Sequence, residues 1–433
     1  MRVPVPLILA GLLLCADGSR PFGTIQAQAH AGAPVSVDVV DRCAAAGPAA
    51  SSTDAAARAA GILVCHGYAN VAAVMDGPRV AVTFENTRFR DERRGLREAA
   101  RLLLPEIGEG RELVLVPSNR AIPLVAARYA ALAPELRALA PADLPPPTPA
   151  EVTLDVSDLP PALFDAPRAS SSFGRVDVLI HPWFEASFGN YDNPMQSRTG
   201  VAPEVRVALR PGLSVSAQAL FTLQDDLLTG ESRIRPGLVT LNQTARLPRD
   251  VFVSATAGTF NPDRYGVDVE ARAYLANGSL SFGTELGLTG AVSYAEDGWY
   301  RTPMNERTAL VDATWRIDRH DLLLRTTAGA FLEDERGVRV DVARQLGEFE
   351  IGFFAVKARE GSNGGVTLRL PLFPAKRPAQ APVRLFAADA FRWQYRYRGL
   401  VPGGRRYNTG NALEDFGRSF HPAYVAGLQV GPK

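Results

Sequence analysis

No apolar run in this 433-residue chain approaches the roughly 20 residues that a membrane-spanning helix needs. Beyond the extreme N-terminus, any span must therefore be built from strands. Net charge is missing too. Lys+Arg 47 against Asp+Glu 46 gives none of the basic excess that nucleic acid selects. Histidine is scarce: His30, His66, His181, His320 and His421 are scattered, with no nucleophile pattern beside them. There is no HExxH, no G-x-S-x-G, no phosphate-cradling G-x-x-x-x-G-K-[ST] and no metal-spaced Cys/His cluster. The sequence thus assigns no catalytic residue, no cofactor and no metal, and points away from an enzyme. Asp225-Asp226 and Glu333-Asp334-Glu335 fall in predicted loops. A glycosidase pair assembled by folding would leave no spacing to read, and nothing points to one.

What is present begins with an address. Arg2 forms a minimal n-region, Val3 to Leu14 an apolar h-region, and Ala27-Gln28-Ala29 a small-x-small site; residues 1–29 read as a signal peptide cleaved after Ala29. Cys15 offers a lipidation alternative, but the residue before it is Leu14, where a lipobox wants a small one. If Cys15 leaves with the signal, Cys43 and Cys65 remain in an oxidising compartment and are expected to form a disulfide, with two buried thiols as the alternative. Neither lies in a CxxC, so redox catalysis is not indicated.

Residues 30–140 read as a small α/β module. An Ala/Gly-rich stretch around Ala44 to Ala60 is expected to be mobile. Arg79 to Phe89 alternates as a strand. Asp91 then caps a helix on which Leu96, Ala99, Ala100 and Leu103 form one apolar stripe, while Arg93, Arg94, Arg97 and Arg101 form a solvated face or, alternatively, one that contacts a polyanion. Pro105 ends that helix. Glu112 to Val116 is a second strand, and Ile122 to Tyr129 is a hairpin partner or a short helix. Residues 141–172, with Pro145-Pro146-Pro147-Thr148-Pro149, Pro160-Pro161 and Pro167, read as a linker.

From residue 173 to 433 the pattern changes to segments of about ten residues that alternate with period two, the length a tilted strand needs to cross a bilayer. In Tyr265 to Ala276, Val267, Val269, Ala271, Ala273 and Leu275 oppose Asp268, Glu270, Arg272 and Tyr274. In Ala309 to Ile317, Val311, Ala313, Trp315 and Ile317 oppose Asp312, Thr314 and Arg316, and Leu213 to Thr222 behaves alike. Long connections at Asn190 to Gly200, Gln224 to Arg235 and Glu296 to Glu306 alternate with tight ones at Pro211-Gly212, Pro248-Arg249-Asp250, Asn277-Gly278 and Asp318-Arg319-His320. The expected fold is mainly β: a transmembrane antiparallel barrel of about 12 to 14 strands after a periplasmic α/β module, with a soluble sandwich or barrel as the alternative. The twelfth strand is expected near Val366 to Phe373, with further candidates at Val383 to Tyr397 and Tyr424 to Val430. Asp268, Glu270, Arg272, Asp312 and Arg316 are the candidate polar lining of the lumen. Trp183, Phe184, Trp299, Tyr300, Trp393, Tyr395 and Tyr397 are candidates for an aromatic girdle or, alternatively, for sugar contact.

These residues carry a resemblance. Glu85-Asn86-Thr87-Arg88-Phe89-Arg90-Asp91 before the helix, Leu209-Arg210-Pro211-Gly212-Leu213, Leu247-Pro248-Arg249-Asp250, Leu368-Arg369-Leu370-Pro371-Leu372 and Phe391-Arg392-Trp393-Gln394-Tyr395-Arg396 resemble the YjbH-like family, the group that includes the group 4 capsule protein GfcD. The resemblance implies an outer-membrane β-barrel with periplasmic α/β modules that helps exopolysaccharide or capsule polymer reach the cell surface, without catalytic residues. It implies outer-membrane lipid, exopolysaccharide and other polysaccharide-export proteins as partners. The chain is shorter than the family's long members, with one module and one set of strands, as a reduced or paralogous member would be. A soluble periplasmic protein that binds or cleaves polysaccharide, and a barrel that only anchors the envelope, are the alternatives.

Overall fold

The computed structural model describes residues 54–188, 195–227, 230–359, 361–396 and 404–427. Ala27, Ala29, Cys15, His30, Cys43 and Tyr397 lie outside them, so the signal site and one partner of the expected disulfide are not placed. Cys65 is buried at the end of helix α1 (Ala55–Cys65). That helix replaces the mobile stretch expected up to Ala60: alanine is the strongest helix former, Asp54 accepts a hydrogen bond from the Ala56 N–H at 3.1 Å, and Ala59 and Leu63 are buried.

The N-terminal sheet has the order β1 (Ala69–Asp76), β2 (Arg79–Glu85), β3 (Glu112–Asn119), β5 (Ala126–Tyr129), β6 (Glu151–Thr153), with β4 (Ile122–Pro123) also on β3. Only β2 and β3 are parallel, as helix α2 (Glu92–Leu103) provides the crossover between them. Asp91 caps α2, accepting from the Arg93 N–H at 2.9 Å. The α1 and α2 stripes close over Tyr68, Val80, Val82, Phe84 and Leu115, all at 0% exposure. Ile122 to Tyr129 is thus strand, not helix.

Residues 141–172 are not a free linker. β6 adds to β5 as a three-residue edge strand, where proline nearby does no harm. Leu159 and Leu163 pack on Ala81, Val114, Val116 and Ala126 from the sheet's other face.

The second sheet holds 15 strands among the described residues. β7 (Val176–Phe188), β8 (Met195–Arg210), β9 (Leu213–Asp225), β10 (Ile234–Leu247), β11 (Val251–Phe260), β12 (Arg264–Leu275) and β13 (Leu280–Ala295) follow one another as antiparallel neighbours. β14 (Gly298–Arg301) folds back on β13. The path continues through β15 (Glu306–Ile317), β16 (Leu322–Ala330), β17 (Arg336–Leu346), β18 (Phe349–Ala358) and β19 (Ser362–Pro371). Its two ends are β20 (Val383–Ala387), parallel to β7, and β21 (Ala390–Arg396), antiparallel to β19. These end strands are successive in the chain, separated by Ala388-Asp389 alone. The expected strand at Tyr424 is instead part of a short helix.

One face of this sheet is polar and buried and the other apolar and exposed. Asp268 and Arg272 are 2% and 6% exposed, whereas Val269 and Val311 are 48% and 60% exposed. Residues 404–427 lie on the buried face and include helices α3 (Glu414–Ser419) and α4 (Pro422–Ala426). Proline at the first turn and Gly427 at φ 72° set the limits of α4. The tight turns of the large sheet meet the N-terminal module. The Gly212 N–H donates to the Arg120 carbonyl at 2.9 Å, and the Leu154 N–H to Asn277 Oδ1 at 2.9 Å. Gly212 sits at φ 70°, and a Cβ there would collide with the Thr244 carbonyl. No helix among the described residues is long and apolar enough to cross a membrane.

Candidate functional site

Strand register brings the polar residues together. Arg272 on β12 and Asp312 on β15 both pair with Gly283 of the intervening β13. Because Gly283 has no side chain, the Arg272 guanidinium crosses β13 and donates to Asp312 at 2.8 and 2.9 Å. A Cβ at Gly283 would strike both groups. The Arg325 guanidinium completes the cluster, donating to Asp312 at 3.1 Å through two nitrogens and pairing with Glu414 of α3.

One turn of the pattern further on, the arrangement recurs. Asp268 and Thr308 flank Gly287, and the Tyr407 ring fills the space that Gly287 leaves. Its hydroxyl donates to Asp268 at 2.7 Å and lies 3.1 Å from Thr308 Oγ1. Glu270 accepts from the Leu413 N–H at 2.9 Å. Arg316 donates to Gln345 at 2.8 Å, and the Arg418 Nε donates to Glu350 at 2.8 Å. All five candidate lining residues therefore share the buried face, and Asp268 and Glu270 hold segment 404–427 directly. The carboxylates at 333–335 hold its start: Glu335 accepts from the Gly404 N–H at 2.6 Å and Glu333 pairs with Arg405 at 2.7 Å. The spacing Gly283-x-x-x-Gly287 was the available sequence signal for this docking.

The aromatic residues do not form one set. Trp183 faces the buried side, under the guanidinium groups of Arg198 and Arg235 at 5.1 and 5.7 Å, which removes it from a lipid-facing girdle. Phe184 and Trp393 meet at 6.1 Å where β7 approaches β21, with Tyr395 stacked on Trp393 at 6.1 Å. Trp299 packs edge-on against Tyr294 at 5.1 Å, and Tyr300 is exposed, its hydroxyl donating to Asp297 at 2.8 Å.

The segment 85–91 clamps the module to the large sheet. Asn86 Oδ1 accepts from the Arg88 and Phe89 N–H groups while its Nδ2 donates to the Phe89 carbonyl at 2.9 Å and to Glu92 at 3.1 Å. Thr87 Oγ1 donates to the Gly67 carbonyl, and the Thr87 carbonyl accepts from Arg384 of β20. Arg90 forks onto Glu348 with contacts of 2.6 and 2.8 Å, and Asp91 accepts from the Tyr424 hydroxyl at 3.0 Å. The arginine face of α2 is not simply solvated. Arg93 lies over the Tyr424 ring, Arg94 over Phe89, and Arg101 donates to the Leu144 carbonyl. Burial pushes the Glu92 carboxyl up to about 8 and the Arg120 guanidinium down to about 10 in this crevice.

Segment 404–427 divides the space on the buried face. A cavity of about 520 Å³ lies between it and the module, with Glu92, Arg120 and His181 in its wall. A second, of about 750 Å³, reaches the β7 and β21 edges. Trp183, Arg369, Arg392 and Arg418 line both. No group of three His, Cys, Asp or Glu side chains among the described residues is placed to hold a metal ion. The arrangement offers fixed charges and hydrogen bonds.

Among solved structures the chain is similar to OmpTdeltaL8, the loop L8 deletion mutant of OmpT, an outer membrane protein of Vibrio cholerae. Identity is 10%, over 45% of this chain and 86% of that one, and the TM-score of 0.24 is too low to carry an argument. No curated protein matches. The family model described as YjbH, exopolysaccharide biosynthesis protein YbjH, matches residues 20–364. That span exceeds half of the 433 residues, and the chain belongs to the YjbH family of exopolysaccharide biosynthesis proteins.

Proposed function

We propose that the large sheet closes as an outer-membrane β-barrel and assists export or surface assembly of exopolysaccharide, without catalysis, with the N-terminal module at its periplasmic end. The observation that carries this reading is the inverted sorting of side chains. Phe353 and Leu385, at 60% and 63% exposure, stand on the face opposite a lining of buried Asp, Arg, Thr and Asn. Exposed apolar area on that scale is costly in water and favourable in lipid. Closure is supported by β20 on β7 and β21 on β19 being two successive strands. The polar interior suits a hydrated polymer. Because segment 404–427 crosses that interior, the chain binds and hands over polymer rather than forming a wide pore. Outer-membrane lipid, exopolysaccharide and other export proteins at the module are its partners in this reading.

Cell fractionation followed by electrophoresis of unheated and boiled samples tests it. An outer-membrane band whose mobility shifts on heating, together with loss of surface polysaccharide on deletion, is expected. A soluble periplasmic band with no shift overturns the barrel, and unchanged surface polysaccharide overturns the export role.

A further inference from the structure

The interior is supplied with arginine and almost no lysine. The whole chain has three lysines, Lys357, Lys376 and Lys433, and the 750 Å³ cavity is lined by ten arginines against six carboxylates, with no lysine. Arginine holds a planar fork that matches a carboxylate, where lysine is a point charge. Most of these forks are answered within the chain. Arg272 and Arg325 share Asp312, Arg406 pairs with Glu285, Arg339 with Asp341, and Arg418 with Glu350. Arg392 pairs with Asp415 at 2.9 Å.

Arg369 differs. It pairs in register with Arg392 across β19 and β21, two cations side by side. Its Nε is shut away from solvent without a hydrogen-bond partner, and no carboxylate stands within ion-pair distance of it among the described residues. That Nε is out of a ligand's reach, but the terminal nitrogens are not shut away and have no hydrogen-bond partner among the described residues, so they are the fork that a ligand's oxygens would meet. Arg369 lies in the walls of both cavities, as do Arg392, Arg418 and Trp183. Flat aromatic faces beside a cationic fork are the elements that recognise a sugar ring bearing a carboxylate. Arg369 and Arg392 lie beyond residues 20–364, the span of the family match.

We infer that this part of the interior is a binding site for an acidic oligosaccharide, a uronate-bearing chain, with Arg369 taking the carboxylate and Trp183 forming the flat wall beside it. The inference deepens the exopolysaccharide reading above by naming the class of polymer, and it rests on that reading only for the polymer being a glycan.

Isothermal titration of the full chain in detergent with hexagalacturonate, with maltohexaose as the neutral comparator, tests it. Hexagalacturonate is expected to bind, more weakly as salt rises, and maltohexaose to bind at least tenfold more weakly. Arg369→Gln should weaken hexagalacturonate binding about tenfold, the loss of one charged fork, while its heat-dependent gel mobility stays that of the parent. Arg369→Lys, which keeps the charge without the fork, should fall between and covers the case in which the glutamine variant fails to fold. Equal binding of the two sugars, no binding of hexagalacturonate, unaltered binding by both variants, or displacement by inorganic phosphate at equal concentration overturns the inference. Binding on purified protein is separate from the cell phenotype. A deletion that leaves surface polysaccharide unchanged removes the export role and leaves a positive titration standing.

Discussion

The two sheets differ in how their faces are covered: β2 of the module is packed on both, the strands of the large sheet on one. In β2 of the module, Val80, Val82 and Phe84 are at 0% exposure under α1 and α2, Ala81 and Thr83 on the other face are buried too, and charge stands only at the end residues Arg79 and Glu85. In β12, Val267 and Val269 are 42% and 48% exposed while Asp268 and Arg272 are buried. β12 alternates valine and alanine with Asp268, Glu270 and Arg272, where β2 has only Ala81 and Thr83 between its apolar residues. Water around the module rewards apolar burial, whereas the large sheet keeps its polar partners inside, where register and glycine gaps satisfy them. An alternating strand is therefore informative about pairing and silent about which side is wet until its charges are traced to partners.

The comparison is broken most severely in the module core. Phe84→Ala should cost about 3 to 5 kcal/mol by cavity formation, with loss of the Tyr68 edge contact at 5.2 Å. Hydrogen exchange should rise across β1 to β3 while the heat-dependent mobility of the whole chain persists. If both are lost together, the two sheets form one cooperative unit. Next in size is a charge on the exposed face of the large sheet. Val311→Arg should cost about 2 to 4 kcal/mol at a bilayer midplane, read as a lower urea midpoint in lipid vesicles. A soluble sheet would register the same change within about 0.5 kcal/mol, so a neutral result breaks the comparison at its root.

A smaller effect tests how the buried face holds segment 404–427. Gly287→Ala places a Cβ where the Tyr407 hydroxyl sits and removes its bonds to Asp268 and Thr308, about 1 to 3 kcal/mol. Trypsin should then cut after Arg405 or Arg406, where the parent chain is expected to resist. Equal resistance of the two proteins would mean that the Glu270 and Glu335 contacts hold the segment without the tyrosine.

The alternation of β9, β12 and β15 was legible because period two needs no partner to be seen, and so was the Asp91 cap, a local signal. Segment 404–427 was not. Its partners on β12, β15 and β18 sit 143, 99 and 68 residues away, and nothing local marks a chain that returns to the inside of its own sheet. Composition misled at α1, where alanine and glycine suggested mobility but Ala59 and Leu63 had a core to enter. It misled again at β6, where the prolines on either side left three residues free to pair at an edge. Trp183 and Trp393 illustrate the limit for the site: an aromatic residue in a strand reads alike whether it faces lipid, a cavity or an arginine.

The smallest effect is electrostatic and belongs to the clamp between the sheets. Glu92 opens α2, half-buried in the crevice, where burial pushes its carboxyl up to about 8 from an ordinary value of 4.5. Asp91 and Asp389 reinforce that rise, while Arg377 and the Asn86 amide oppose it. A carboxyl raised in the folded state holds its proton there after the unfolded chain has released it. Its contribution to stability is thus complete below about pH 4.5 and is lost as pH climbs through about 8. The loss should be about 1 to 2 kcal/mol, less than the full shift implies because solvent reaches part of the group. Thermal melts of the parent and Glu92→Gln across pH 4 to 9 would show it as a slope in the parent that the glutamine chain lacks. Parallel curves would mean that Arg377 keeps Glu92 ionised throughout, making the clamp a permanent ion pair and leaving the module's attachment insensitive to pH.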